Sequence, residues 1–194
     1  YFDVSLLKTL RQIGSILQGH PDMKHIPGVD MSTGSLGQGI SAAVGMALSA
    51  KHFGDSFKVY AVLGDGEIEE GQVWEAAMFA GNKGLSNLTA FVDYNNLQID
   101  GTIEEVNSAA PIDKKFEAFG WHVITIDGHS FEEIENALKE AETVDKPVAI
   151  IAKTVKGKGV SFMENAVGWH GSAPNDEQYE QAMTELNAAL AALN

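Results

Sequence analysis

Two stretches decide how this chain is read: Val59-Tyr60-Ala61-Val62-Leu63-Gly64-Asp65-Gly66 and Leu88-Thr89-Ala90-Phe91-Val92-Asp93-Tyr94-Asn95-Asn96. Each is an apolar run that ends on a residue with an oxygen ligand, Asp65 in the first and, thirty positions further on, Asn95 in the second. The runs are near-continuous instead of alternating, the pattern of strands covered on both faces. Their spacing suits one strand–helix–strand crossover, the connection that joins parallel strands. Two such strands would deliver a carboxylate and an amide oxygen at their carboxyl ends, where open α/β sheets bind ligands. Magnesium held by so few protein groups takes its remaining oxygens from phosphate and water. The pair therefore points to a site for a diphosphate-bearing cofactor.

Outward from this pair, helix and strand patterns alternate with no repeat or low-complexity tract. Val4 to Leu10 reads as a helix, followed by a Pro/Gly-bearing loop from Gly19 to Gly37. Ile40 to Phe53, small and apolar, reads as a buried helix, and a second helix is expected from about Glu70 to Asn82. Beyond Asp93 come an irregular stretch and a short helix at 113–119. A strand follows over 121–126, then a helix over 131–142 with Ile134, Ala137, Leu138 and Ala141 on one face. A strand over 147–154, the loop Lys156-Gly157-Lys158-Gly159 and an amphipathic helix over 176–193 complete the pattern. Strands separated by helices predict a doubly wound parallel α/β sheet flanked by helices, as a single domain over 1–194.

At 194 residues, 44% of them hydrophobic and 21% charged, the composition is that of a soluble globular domain. A formal charge of −14 argues against nucleic acid and against a polybasic membrane anchor. The absence of cysteine excludes disulfides, thiolate metal sites and a cysteine nucleophile. No apolar run approaches the ~20 residues that span a bilayer, and no secretory signal pattern opens the chain, so a cytoplasmic location is expected. Tyr1 stands where an initiating Met is usual, and the chain reads as a trimmed piece of something longer.

Gly-Asp-Gly alone is simply a good turn, since Gly is permissive and Asp caps helices. Joined to Asn95-Asn96 it resembles the signature of the thiamine-diphosphate enzymes. Gly19-His20-Pro21, Thr33-Gly34-Ser35-Leu36-Gly37-Gln38-Gly39, Asp93-Tyr94-Asn95-Asn96-Leu97 and Trp169-His170-Gly171 are similar to transketolase segments, in transketolase order. The resemblance runs over essentially the whole chain and implies the amino-terminal, diphosphate-binding domain of a transketolase. It implies that Asp65, the Asn95 side chain and the Leu97 carbonyl bind Mg2+ (or Ca2+), which in turn binds the diphosphate of thiamine diphosphate. Gly34, Ser35, Leu36, Gly66, Glu67, Asn95, Lys156 and His170 are by the same resemblance cofactor-binding. His20 and His170 are implied as catalytic residues, at the donor sugar and between diphosphate and substrate. Gly37 and Gly39 suit ligand approach or helix packing equally. Glu70 and Glu75 resemble carboxylates near the contact between paired active sites, or else cap their helix. His25, His52, His122, His129 and Lys158 receive no role.

The implied activity is transfer of a two-carbon ketol unit between sugar phosphates. The family's pyrimidine-binding domain, whose glutamate activates the cofactor, has no match within these 194 residues. The chain is thus expected to be one subunit or fragment of a split transketolase. It would work in a homodimer or heterotetramer completed by a carboxy-terminal subunit. Deoxyxylulose-phosphate synthase and the α subunit of a 2-oxo acid dehydrogenase share the metal motif. A non-catalytic dimerising module is the alternative of another class.

Overall fold

The structure is a computed structural model that describes residues 1–193; Asn194, the last residue of the expected domain, lies outside them. A 3-10 helix at Val4–Thr9 is followed by α1 (Gln38–Phe53), β1 (Val59–Gly64), α2 (Gly71–Lys83) and β2 (Leu88–Tyr94). Next come the two-residue strands β3 (Leu97–Gln98) and β4 (Gly101–Thr102), then α3 (Ile103–Val106) and α4 (Ile112–Ala118). The chain ends with β5 (His122–Asp127), α5 (Phe131–Thr143), β6 (Val148–Lys153) and α6 (Asp176–Ala191).

The main sheet has the order β1-β2-β6-β5, and every pairing in it is parallel. The chain steps outward from β2 to β5 and then back to β6, so strand order reverses there, and α5 packs on the opposite face from α1, α2 and α4. One core unites Ile40, Val44, Leu63, Val73, Leu88, Val92, Phe116 and Trp121. A smaller one, on the α5 side, unites Ile126, Ala137, Ala141, Val148 and Ile150. In register, Gly64 faces Asp93 and Asp93 faces Ala152, which brings the carboxyl ends of β1, β2 and β6 to one rim.

Local sequence sets the helix ends. Ser130 accepts the Glu133 N–H at 3.2 Å to start α5, and Asn175 forms a capping box with Gln178 at the start of α6. Gly84, at φ 57°, closes α2 in a left-handed conformation that glycine adopts without penalty. Lys51 of α1 donates to the Lys83 and Gly84 carbonyls at 2.8 and 2.7 Å, so a cation occupies the negative end of α2. Glu185 fastens α6 to the preceding loop by accepting the Ser161 N–H at 2.6 Å and the Ser161 hydroxyl at 2.7 Å. The Ser161 N–H, then Gln181 and the Ser161 hydroxyl, hold the Glu185 carboxyl below its usual 4.5. A depressed carboxyl stabilises the fold above its unfolded pKa and loses that contribution as pH falls through the lower folded value. Acidification is therefore expected to lower the protection of the Ser161 amide relative to the free-chain exchange rate at the same pH, and Glu185→Ala to do so already at pH 7. Unchanged exchange at Ser161 in that variant would rule out the docking role.

Three expectations are corrected. Val4 to Leu10 forms a short 3-10 helix, with no buried residue, in place of an α-helix. Its apolar Val4 and Leu7 are exposed, and Ile13 beyond it is fully exposed. β1 is not covered on both faces: it is an edge strand, and Tyr60 and Val62 are 54% and 75% exposed. The stretch after Asp93 is more regular than expected, because the β3–β4 hairpin leads directly into α3 through a Thr102–Glu105 capping box. No helix among the described residues is long and apolar enough to cross a membrane.

Candidate functional site

At the end of β1, Asp65 is only 2% exposed. Its carboxylate accepts the Gly66 N–H at 2.9 Å on Oδ1 and the Asn96 N–H at 2.5 Å on Oδ2. Its own N–H reaches the Asp93 carbonyl at 3.3 Å. Asn96 turns through φ 63°, a conformation Asn tolerates better than most residues, and this aims its N–H back at Asp65. The Asn95 side-chain oxygen accepts the Leu97 N–H at 3.0 Å, and Leu97 itself is buried in β3. The two strand tips are thus joined by a direct carboxylate–backbone bond, and Asp65, Asn95 and Leu97 fall within one short turn region.

These groups suit a hard divalent cation. Burial pushes the Asp65 carboxyl above its usual value, and the Asp93 charge adds to this; the Asn96 and Gly66 N–H groups and the Lys156 charge pull it down. No salt bridge reaches Asp65 among the described residues. A carboxylate withdrawn from water without a contacting cation is costly, and a bound cation would remove that cost. Each oxygen accepts one N–H bond and retains lone-pair capacity. The full donor set (carboxylate, amide and backbone carbonyl) is oxygen only, as Mg2+ and Ca2+ require. It contains one acidic residue, consistent with the absence, among the described residues, of any cluster of three His, Cys, Asp or Glu able to hold a metal.

Gly66 does not serve as a left-handed turn residue: its φ is −70°. A β-carbon there would stand 3.2 Å from the Gln98 β-carbon, so the close neighbour is the β3 hairpin. Nor does the chain enter a long helix at once. A three-residue 3-10 turn, Glu67–Glu69, intervenes before α2 begins at Gly71, so α2 starts five residues beyond Gly66 and offers no N–H groups beside it.

A cleft of about 630 Å³ lies between the loop at 30–36, α1 and the outer side of β1, and Gly34, Ser35, Leu36 and Glu67 all line it. Asp65, Asn95, Leu97, Lys156, His20 and His170 do not. The cleft follows the free edge of β1 and is not centred over Asp65. His20 nevertheless packs against Gly34, one of the residues that line the cleft. Gly34 sits at φ 123°, and a β-carbon on it would stand 2.3 Å from His20 Nδ1. The Glu67 carboxylate is occupied by two backbone groups: it accepts the Gly37 N–H at 2.9 Å and the Gly64 N–H at 3.1 Å.

Lys156 follows β6 and acts on Asp65 through its charge. Its loop is anchored by neighbours that sequence reading passed over. His129 Nε2 accepts the Val155 N–H at 2.7 Å, and the Thr154 hydroxyl donates to the Asp93 carboxylate. His129, Thr154 and Asp93 all lie at carboxyl ends of strands, and that position was the signal available for them. His170 is exposed, at the end of the 3-10 turn Val167–Trp169, and its backbone N–H bonds back to the Val167 carbonyl at 2.9 Å. Glu70 and Glu75 are exposed on and just before α2.

Residues 1–189 match the family described as transketolase, thiamine diphosphate binding domain. The chain is 48% identical over 187 residues to a 6-deoxy-6-sulfo-D-fructose transketolase subunit from Clostridium sp., covering 96% of this chain and 68% of that one. It is 44% identical to one of the apulose-4-phosphate transketolase subunits of Phocaeicola vulgatus, covering 94% and 65%. Rat transketolase is 45% identical over 181 residues, but the chain spans only 29% of its length. Among solved structures, transketolase from Campylobacter jejuni superposes with a TM-score of 0.89 at 36% identity, covering 93% of this chain and 29% of that one.

Proposed function

The chain belongs to the transketolase family, as its thiamine diphosphate-binding domain, and from that premise we propose that it holds Mg2+ and thiamine diphosphate for ketol transfer between sugar phosphates. The observation that carries the metal assignment is the buried Asp65 carboxylate bonded to Asn96 at 2.5 Å, with Asn95 and Leu97 beside it. Asp65, the Asn95 side-chain oxygen and the Leu97 carbonyl would hold the metal. Gly34, Ser35, Leu36 and Gly66 would meet the cofactor, the first three from the wall of the cleft. Lys156, whose charge is felt at Asp65, and His170 would meet the diphosphate. His20, packed on Gly34, would face the donor sugar. Thiamine diphosphate supplies, when bound, the carbon nucleophile and electron sink that ketose cleavage needs.

The chain spans about two-thirds of the two split-subunit relatives and under a third of full-length transketolase. That two relatives carry the word subunit in their names supports a partner chain bearing the pyrimidine-binding domain. A paired arrangement is supported by α2, which exposes Met78 and Phe79 at 54% and 40%, an apolar patch on the helix that also bears Glu75.

Calorimetry tests the first half: thiamine diphosphate is expected to give heat with Mg2+ and none with chelator. Activity tests the second. With a pyrimidine-domain subunit from a related split transketolase, xylulose 5-phosphate or 6-deoxy-6-sulfo-D-fructose as donor and ribose 5-phosphate as acceptor should yield sedoheptulose 7-phosphate. Binding without product from either donor would leave a cofactor-binding module and remove the transferase reading.

A further inference from the structure

We infer that Glu67 is a positioning residue that ties the Gly34–Leu36 wall of the cleft to the turn bearing Asp65, which deepens the functional reading above and rests on it. Its two oxygens reach two separate parts of the chain. Oε1 accepts the N–H of Gly37, thirty residues away, at 2.9 Å, and Oε2 accepts the N–H of Gly64 at 3.1 Å. Gly37 is the residue after Leu36 and precedes α1; Gly64 ends β1 and precedes Asp65. One carboxylate thus spans the two segments that would meet opposite ends of the same ligand.

Among the described residues, Glu67 is the acceptor of the Gly37 N–H. Gly37 is buried at φ 78°, and α1 begins there with no side-chain cap. A β-carbon on it would stand 3.1 Å from that of Glu70, so the residue that leads into α2 lies against the start of α1. Buried N–H groups need acceptors, and only a group with two acceptor oxygens serves both. Glutamine offers one acceptor oxygen and sets an NH2 against the second N–H. The carboxylate is therefore required by its two acceptor oxygens, not merely its size. By bridging these two backbone groups, Glu67 shapes the cofactor site from outside the expected metal set.

The test compares the parent with Glu67→Gln and Glu67→Asp at 15 °C, below unfolding. In cofactor-free protein, exchange at the Gly37 and Gly64 amides and across Ser35 and Leu36 should quicken in Glu67→Gln. The calorimetric Kd for thiamine diphosphate with Mg2+ should rise about tenfold, as loss of one charge-assisted hydrogen bond predicts. Glu67→Asp, which keeps both acceptors but is one methylene shorter, should recover part of that loss. A residue that only stabilises the fold would lower the melting temperature and leave the Kd of the folded protein within twofold, and that outcome overturns the inference. Unchanged exchange at Gly37 overturns it as well. A parent chain showing no Mg2+-dependent uptake removes the functional reading and this role together, whereas parent binding with Glu67→Gln unaltered removes this role alone.

Discussion

Asp65→Ala should abolish the Mg2+-dependent heat of thiamine diphosphate binding while leaving the melting temperature close to that of the parent. The two halves of this expectation have separate causes. Affinity falls because the substitution deletes the single charged oxygen donor of the expected metal set, leaving an amide and a carbonyl that carry no formal charge. Changes to groups that only support metal ligands cost 10–100-fold in affinity, so loss of the ligand itself should cost about a hundredfold or more. Stability moves little because two effects oppose. The Asn96 and Gly66 N–H groups lose their acceptor, at about 1–3 kcal/mol for each unsatisfied buried group. Against this, burial disfavours the ionised carboxyl in the folded chain, so removing it at pH 7 returns the cost of burying a charge. Equal heats from parent and variant would take the metal away from this strand rim.

That the rim could be located at all from sequence follows from what strands do to their ends. Val59–Leu63 and Leu88–Val92 both read as strands, and their parallel pairing, which sets Gly64 opposite Asp93, leaves Asp65 and Asn95 just beyond adjacent tips. The loop ahead of α1 was legible for a similar reason, since glycines at positive φ, such as Gly34 and Gly37, mark a backbone that must fold tightly. Other features were out of reach. Apolar periodicity says which residues avoid water but not what covers them, so the open face at Tyr60 and Val62 had no signal in β1 itself. Glu67 carried a carboxylate in a promising motif, yet its partners lie on the backbone of residues chosen by tertiary packing. The positions of His129 and Thr154 at strand ends were legible, but their bonds to Val155 and Asp93 emerge only when β6 aligns between β2 and β5. Helical pattern at Val4 to Leu10 similarly could not reveal that Val4–Thr9 forms a 3-10 helix with no buried residue.

Gly81 was equally silent in the sequence, where a glycine inside α2 reads only as a weak helix former worth about 1 kcal/mol against alanine. On propensity alone, Gly81→Ala would stabilise the protein. The structure predicts the reverse. A β-carbon at Gly81 would lie 1.8 Å from the Phe119 carbonyl oxygen and 2.9 Å from its carbon. Both are backbone atoms at the end of α4, which no rotamer change can move. Relief requires α4 to shift away from α2, and that contact is where the molecule keeps its largest aromatic cluster. Trp74 lies 5.3 Å from Phe116 and 6.3 Å from Phe119, Phe116 lies 5.2 Å from Trp121, and Trp121 Nε1 donates to the Ala77 carbonyl of α2 at 2.8 Å. Separating the helices loosens this packing and lengthens a buried hydrogen bond, so the overpacking cost falls at or above the usual upper figure of about 3 kcal/mol. For a chain of this size that lowers Tm by roughly 6–12 °C, measurable by thermal denaturation without cofactor. A Tm within two degrees of the parent, or a rise, would mean that α2 and α4 do not approach as closely as the fold requires. Because α2 follows directly from the turn that bears Asp65 and Glu67, the same shift should also weaken cofactor uptake, through displacement of the turn and not through any contact with the ligand.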